Sequence, residues 1–133
     1  MTYTLDTNAV AAILREDQPF IRRVAAAVAR RDRVTLNAIS YFETKRGLVA
    51  PMFSKKLTIF GRFVKRFEIL PLDLAALDIS ADIYADFRRK GTPLEDADIL
   101  VAGIALAHDA VLITRNLKHF RRIEGLQLES WEA

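Results

Sequence analysis

Ala97-Asp98-Ile99-Leu100-Val101-Ala102-Gly103-Ile104-Ala105-Leu106-Ala107, followed after His108-Asp109 by Ala110-Val111-Leu112-Ile113-Thr114, is the stretch on which the fold turns. The first segment is apolar nearly all round, the pattern of a helix buried in a core rather than lying on a surface. The second is a short apolar run, which reads as a buried strand. One charge interrupts this apolar text. A carboxylate at Asp98 costs several kcal/mol by general transfer estimates unless it is paired or metal-bound. The helix N-terminal dipole relieves roughly 0.3–1 kcal/mol of that in exposed cases, which is too little.

Upstream, Thr92-Pro93-Leu94-Glu95 predicts the start of this helix, with Thr92 as N-cap, Pro93 in the first turn and Glu95 completing a capping box. Further out, the same alternation repeats. Thr2–Leu5 reads as a strand that stops at Asp6-Thr7-Asn8, a good helix entry, and Ala9–Arg15 as the helix. A second helix is expected over Pro19–Arg31, a strand over Val34–Asn37 and a helix from about Ser40 to Val49. Lys55–Phe67 reads as a helix, Glu68–Leu72 as a strand, and Leu74–Lys90 as a helix ending at Gly91. Arg115–Arg122 is expected to be a loop with a helical turn, and Leu126–Trp131 a last strand. Strands alternating with helices predict an α/β fold, a mainly parallel central sheet with helices on both faces. No repeat or linker divides the 133 residues, so one domain over 1–133 is expected.

Composition removes several chemistries. The chain has no cysteine, so disulfides, thiolate catalysis and Cys-ligated metals are excluded. The longest strictly apolar run, Ile99–Ala107 with Gly103 counted, falls far short of the ~18–20 residues of a membrane span. No signal peptide pattern opens the chain, and a cytoplasmic, membrane-free protein is expected. Net charge is +3, distributed unevenly. Residues 1–72 hold 13 Lys+Arg against 6 Asp+Glu, and residues 73–133 hold 7 against 11. A basic half beside an acidic one suits a nucleic-acid track leading to a metal site.

Asp6, Glu43, Asp98 and Asn116 fall at strand-to-helix transitions or on helices that line the same edge. An α/β sheet gathers such positions, since its strand ends share one edge. Each has a plain structural use as well. Asp6 is a good N-cap. Glu43 completes a capping box with Ser40, or lies further into a helix that Asn37 caps. Asn116 reads as a turn residue. Together they form a cluster of hard oxygen ligands, suited to Mg²⁺ with Mn²⁺ as the alternative. Asp96 lies two residues from Asp98, roughly 200° around the helix, which makes it peripheral. It would reach a metal only through water, or serve the helix terminus alone. Thr114 and Asn8 are candidates for hydrogen bonds around the acids. Lys45 and Arg46, one turn or less from Glu43, are candidate RNA contacts, whereas His108 and His119 read as surface or loop residues.

The ordered set Leu5-Asp6-Thr7-Asn8, Ile39-Ser40-Tyr41-Phe42-Glu43, Gly91-Thr92-Pro93-Leu94-Glu95-Asp96-Ala97-Asp98-Ile99-Leu100-Val101-Ala102 and Leu112-Ile113-Thr114-Arg115-Asn116-Leu117-Lys118-His119-Phe120 resembles a PIN domain. More closely, it is similar to a VapC-type toxin ribonuclease of a bacterial toxin–antitoxin pair, and Ile123–Trp131 resembles that group's last strand. The resemblance covers essentially the whole chain. It implies a three-layer α/β/α sandwich and a Mg²⁺-dependent endoribonuclease leaving 5′-phosphate and 3′-hydroxyl ends. Asp6, Glu43 and Asp98 would be the metal-binding acids, with Asn116 at the fourth catalytic position, where one negative charge is missing. It further implies an RNA substrate, a homodimer and an antitoxin protein lying across the active-site groove. Two other classes compete: a catalytically degraded PIN scaffold that binds RNA or protein, and an acidic-pocket receiver domain phosphorylated on Asp. The first is opposed by the three acids, the second by the lack of adjacent N-terminal acids.

Overall fold

The computed structural model describes residues 1–132. Five short strands, β1 (Thr2–Leu5), β2 (Arg33–Asn37), β3 (Ile69–Leu70), β4 (Val111–Ile113) and β5 (Leu128–Glu129), form one sheet in the order β3-β2-β1-β4-β5. Every neighbouring pair is parallel. Seven helices connect and flank them: α1 (Thr7–Leu14), α2 (Gln18–Ala29), α3 (Ala38–Gly47), α4 (Ser54–Arg66), α5 (Leu74–Lys90), α6 (Asp96–Ala107) and α7 (Leu117–Phe120).

The pleat assigns side chains to two cores. Tyr3, Leu5, Val34, Leu36, Val111 and Ile113 face α1, α2 and α4, where Val10, Phe20 and Phe60 are buried with them. Leu112 faces the other way, against α5 and α6, with Phe87, Ile99, Val101 and Phe120. This period of two gives the three-layer sandwich, with both sheet faces covered. Full burial of a side chain such as Phe20, Phe60 or Phe120 stabilises the fold by about 1.5–3 kcal/mol each.

From β1 the chain moves to β2 and β3 on one side, then crosses to β4 and β5 on the other. The strand order therefore reverses between β1 and β4, the place where an open parallel sheet leaves a crevice beyond its carboxyl ends. The register aligns those ends: Leu5 lies opposite Ile113, and Thr4 opposite Thr35. The Asp6 amide extends the ladder by donating to the Ile113 carbonyl at 2.9 Å. Asp6, Asn37 and Thr114 are thus delivered to one edge by strand geometry alone.

Side-chain caps set most helix starts. Asp17 accepts from the Phe20 amide, Asp73 from Ala76, and Asn37 from Ser40, whose hydroxyl in turn accepts from the Asn37 amide. The Asn37–Ser40 box leaves Glu43 one turn further into α3, so Glu43 is not a capping residue. α6 departs from the sequence expectation. It begins at Asp96, Thr92 does not cap it, and Glu95 occupies the N-cap without a side-chain capping bond. Thr92 is used instead to close α5, its amide donating to the Phe87 carbonyl at 3.1 Å while Gly91 takes φ 69°. Pro93 then biases Thr92 away from helical geometry, and Thr92–Glu95 cross as a connector. The outer strands are also shorter than expected, Ile69–Leu70 for Glu68–Leu72 and Leu128–Glu129 for Leu126–Trp131, because each pairs along one side only.

α5 and α6 pack in contact at Gly103. A Cβ there would overlap the Ser80 hydroxyl and lie 2.6 Å from the Ala76 carbonyl oxygen. Ser80 is itself fixed, donating to Ala76 and Ile99 carbonyls. Gly103→Ala is expected to destabilise the fold by about 1–3 kcal/mol through overpacking. Urea unfolding checks this, and an unchanged midpoint would show that the two helices separate freely.

Candidate active site

Asp6 leaves β1 as the N-cap of α1 and is 6% exposed. Its Oδ1 accepts from the Thr7 amide at 2.8 Å. Its Oδ2 accepts from the Thr114 hydroxyl at 2.8 Å and the Asn8 amide nitrogen at 3.3 Å. Asn8 also accepts from the Arg115 amide at 3.1 Å, and Thr114 accepts from the Asn116 amide at 3.0 Å. One carboxylate is thereby held by α1, the end of β4 and the loop that follows it.

Glu43 arrives from α3. Its Oε1 accepts from the Thr7 hydroxyl at 2.6 Å, and Arg46 approaches Oε2 at 3.9 Å. Thr7 therefore ties two acids together, with its amide on Asp6 and its hydroxyl on Glu43. Asp98 lies in the first turn of α6, its side chain 22% exposed, with His119 Nδ1 at 3.6 Å from Oδ2.

The three acids sit in one another's field. Burial pushes the Asp6 carboxyl above its ordinary pKa; the Thr114 and Thr7 hydrogen bonds oppose the shift, and Asp98 and Glu43 add to it. Burial also raises Asp98, opposed by His119 and reinforced by Glu95 and Glu43. A carboxylate raised in the folded state weakens the fold as pH rises from its unfolded value through its folded one. Above that window the ionised acids destabilise the cation-free protein.

Among the described residues, no three His, Asp or Glu side chains are gathered tightly enough to close around an ion. The donors are carboxylate oxygens that repel one another and arrive from three separate elements. Such an open set fits a hard divalent cation that keeps several of its own waters, as Mg²⁺ does, and does not fit a tightly enclosed zinc.

Not every candidate joins the cluster. Asn116 contributes its backbone, while its exposed side chain makes no capping bond to α7. Asp96 is exposed on the opposite side of α6, beside Leu77, Tyr84 and Leu100, so it has no access to the acids. Lys45 also points away; its Nζ lies 3.3 Å from the Tyr41 hydroxyl and over that ring. Two residues along a helix turn a side chain by about 200°, which separates Asp96 from Asp98 and Lys45 from Glu43. Arg46 stays near Glu43 while packing over Phe42.

Three neighbours escape sequence reasoning. Thr7 bridges Asp6 and Glu43, Glu95 adds charge beside Asp98, and His119 faces Asp98 despite its exposed position. Only His119 carried a local signal, its spacing of one helical turn from Asn116. Beside Glu43 lies a groove of about 310 Å³, lined among others by Thr7, Arg15, Leu48 and Lys56.

The sequence matches the PIN domain family over residues 3–126. It is 30% identical over 134 residues to the tRNA(fMet)-specific endonuclease VapC of Salmonella typhimurium, covering 98% of each chain. It is 28% identical over 137 residues to ribonuclease VapC2 of Rickettsia felis, covering 99% of each. Among solved structures, DNA-bound VapBC from Salmonella typhimurium superposes with a TM-score of 0.89 at 28% identity, covering 99% of both chains.

Proposed function

The chain belongs to the PIN domain family, and from that premise we propose that it is a metal-dependent endoribonuclease, the toxin of a toxin–antitoxin pair. What supports the reading is that Asp6, Glu43 and Asp98 lie within one another's field beyond the β1/β4 edge, Asp6 and Asp98 being raised first by burial and further by neighbouring carboxylates. Repulsion of this kind is destabilising by itself and is relieved by a cation.

Asp6, Glu43 and Asp98 would hold the ion, Mg²⁺ by donor chemistry. When bound there, it supplies charge neutralisation at the phosphodiester and a more acidic attacking water. The protein supplies orientation. Thr114 and Asn8 fix Asp6 from one side and the Thr7 amide from the other, leaving few rotamers open to it. The Thr7 hydroxyl turns Glu43 toward Asp6. Arg46 lies close enough to Glu43 to meet a phosphate entering the groove. The chain has no cysteine to act as nucleophile, so attack by water fits its inventory.

Thr7→Val keeps the amide bond to Asp6 and removes the hydroxyl from Glu43. By analogy with other residues that orient ligands, it is expected to lower cleavage about 10–100-fold with little change in melting temperature. Undiminished turnover would remove Thr7 from the mechanism.

The VapBC structures support a cognate antitoxin as partner. Phe42, Val49 and Met52, 58%, 70% and 82% exposed around the α3–α4 connection beside the groove, give such a partner an apolar foothold. A homodimer belongs to the same proposal, and light scattering tests it. The function itself is tested by incubating the purified, antitoxin-free protein with total RNA in Mg²⁺ and in EDTA. Discrete cuts that vanish with EDTA and return on adding Mg²⁺ support the reading; cuts indifferent to EDTA refute it.

A further inference from the structure

α4 carries Lys55, Lys56, Arg62, Lys65 and Arg66 and no acid. Among the described residues, none of the five has a carboxylate within salt-bridge distance; nine other Lys and Arg share that state, but α4 holds the longest such set on one element. Arg62 repels Lys65 and Arg66 at i+3 and i+4, a few tenths of a kcal/mol per pair. Among the described residues no salt bridge relieves this, although Lys65 and Arg66 gain from lying in the last turn of α4.

The charges are ordered along the helix. At 100° per residue, Lys55, Arg62 and Arg66 fall within about 40° of one another. They lie opposite Leu57, Phe60 and Val64, which pack into the core. The row spans twelve residues, Lys55 to Arg66, roughly 16 Å along the axis. Its upper end adjoins the groove that Lys56 lines together with Thr7 and Glu43. At its lower end Arg62, Lys65 and Arg66 border an open concavity of about 510 Å³, with Phe63 and Phe67 stacked 4.4 Å apart in its wall. Both rings remain partly accessible.

A row of cations ending at an aromatic platform matches the needs of an unpaired nucleic-acid strand, whose phosphates follow the charges and whose bases stack on rings. A duplex keeps its bases paired and has no use for the platform. An acidic protein segment would answer the charges but brings no planar base to the stacked rings. We infer that α4 is a docking rail for the single-stranded RNA flank leaving the cleavage site, with its phosphates along Lys55, Arg62 and Arg66 and an unpaired base against Phe63 and Phe67. The inference rests on the ribonuclease reading for the class of its ligand.

Binding of a fluorescein-labelled 20-nucleotide oligouridylate in EDTA, followed by anisotropy between 50 and 200 mM KCl, tests it without cleavage. The triple variant Lys55→Ala/Arg62→Ala/Arg66→Ala alters only exposed side chains. It is expected to bind about tenfold or more weakly at low salt. Its slope of log affinity against log salt should be shallower by about 2, from ~0.7 per lost phosphate contact. Arg88→Ala/Arg89→Ala/Lys90→Ala removes equal charge from α5 and should stay within about twofold of wild type. Equal losses in the two variants, an unchanged rail variant, or a wild-type protein that does not bind the oligomer would each overturn the rail. Cleavage of total RNA in Mg²⁺ separates this from the parent reading. A wild type that cuts while the rail variant binds normally sinks the rail alone; a wild type that binds through α4 and never cuts keeps the rail and sinks the ribonuclease.

Discussion

Asp98→Asn is expected to reduce RNA cleavage at least about a hundredfold, ~2.7 kcal/mol of transition-state stabilisation at 1.36 kcal/mol per decade. The same change should raise the melting temperature in EDTA at neutral pH. The two effects share one cause. The Asp98 carboxyl is raised by burial and by the charges of Glu95 and Glu43, against a weaker opposing pull from His119. Its ionised form therefore weakens the fold wherever pH exceeds its folded-state pKa, and the neutral amide removes that penalty. At a pH below its unfolded value, 3.8, the carboxyl is protonated in both states and the stabilising effect should disappear. A residue kept at the expense of stability is the mark of a functional position. Activity assays and melts at pH 7.5 and pH 3 check both halves. Full activity in the variant would remove Asp98 from the site.

Trp131→Ala is expected to cost about 3–5 kcal/mol of stability, a large share of the roughly 5–15 kcal/mol that holds a domain together. The indole is 3% exposed. It meets Tyr3 of β1 edge-on at 5.0 Å, Phe20 of α2 at 5.9 Å and the Arg23 guanidinium at 5.9 Å. Its Nε1 donates to Glu129 at 3.3 Å, and the next residue, Glu132, pairs with Arg115 at 2.9 Å. The substitution thus opens a cavity beneath α2 and loosens the segment bracing the loop that precedes Asn116. A fall in melting temperature of roughly 10–20 °C follows from the usual scaling for a chain of this size. A loss under 1 kcal/mol would mean that the last residues are not part of the core.

Much of this architecture could be read from local chemistry. Asp6, Asp17, Asn37 and Asp73 all act as side-chain caps, and Gly91 closes α5 in the left-handed region. The all-apolar helix with its single carboxylate and the buried β4 follow directly from composition and length. Thr92 misled because its residue type suits a helix start, while its amide is committed to the helix before it. Lys45 turns away from Glu43 for a simpler reason. It stands to Glu43 as Asp96 stands to Asp98, two residues away, and the angular argument that set Asp96 aside applied to it equally.

Thr7 and His119 belong to another category. Thr7 reaches Glu43 across 36 positions of sequence, and His119 reaches Asp98 across the β4 crossover. Thr7 is an ordinary polar residue in its own neighbourhood, and the one-turn spacing of His119 from Asn116 does not point to Asp98. Only the packing of α1 on α3, and of α7 beside α6, gives them a role.

The most direct test of the account is the chemistry of the ends that this protein leaves on RNA. Water attack supported by Asp6, Glu43 and Asp98 predicts fragments carrying 5′-phosphate and 3′-hydroxyl groups, ready for ligation without prior kinase treatment. Fragments carrying 5′-hydroxyl and 2′,3′-cyclic phosphate would show that the ribose hydroxyl is the nucleophile and would contradict it.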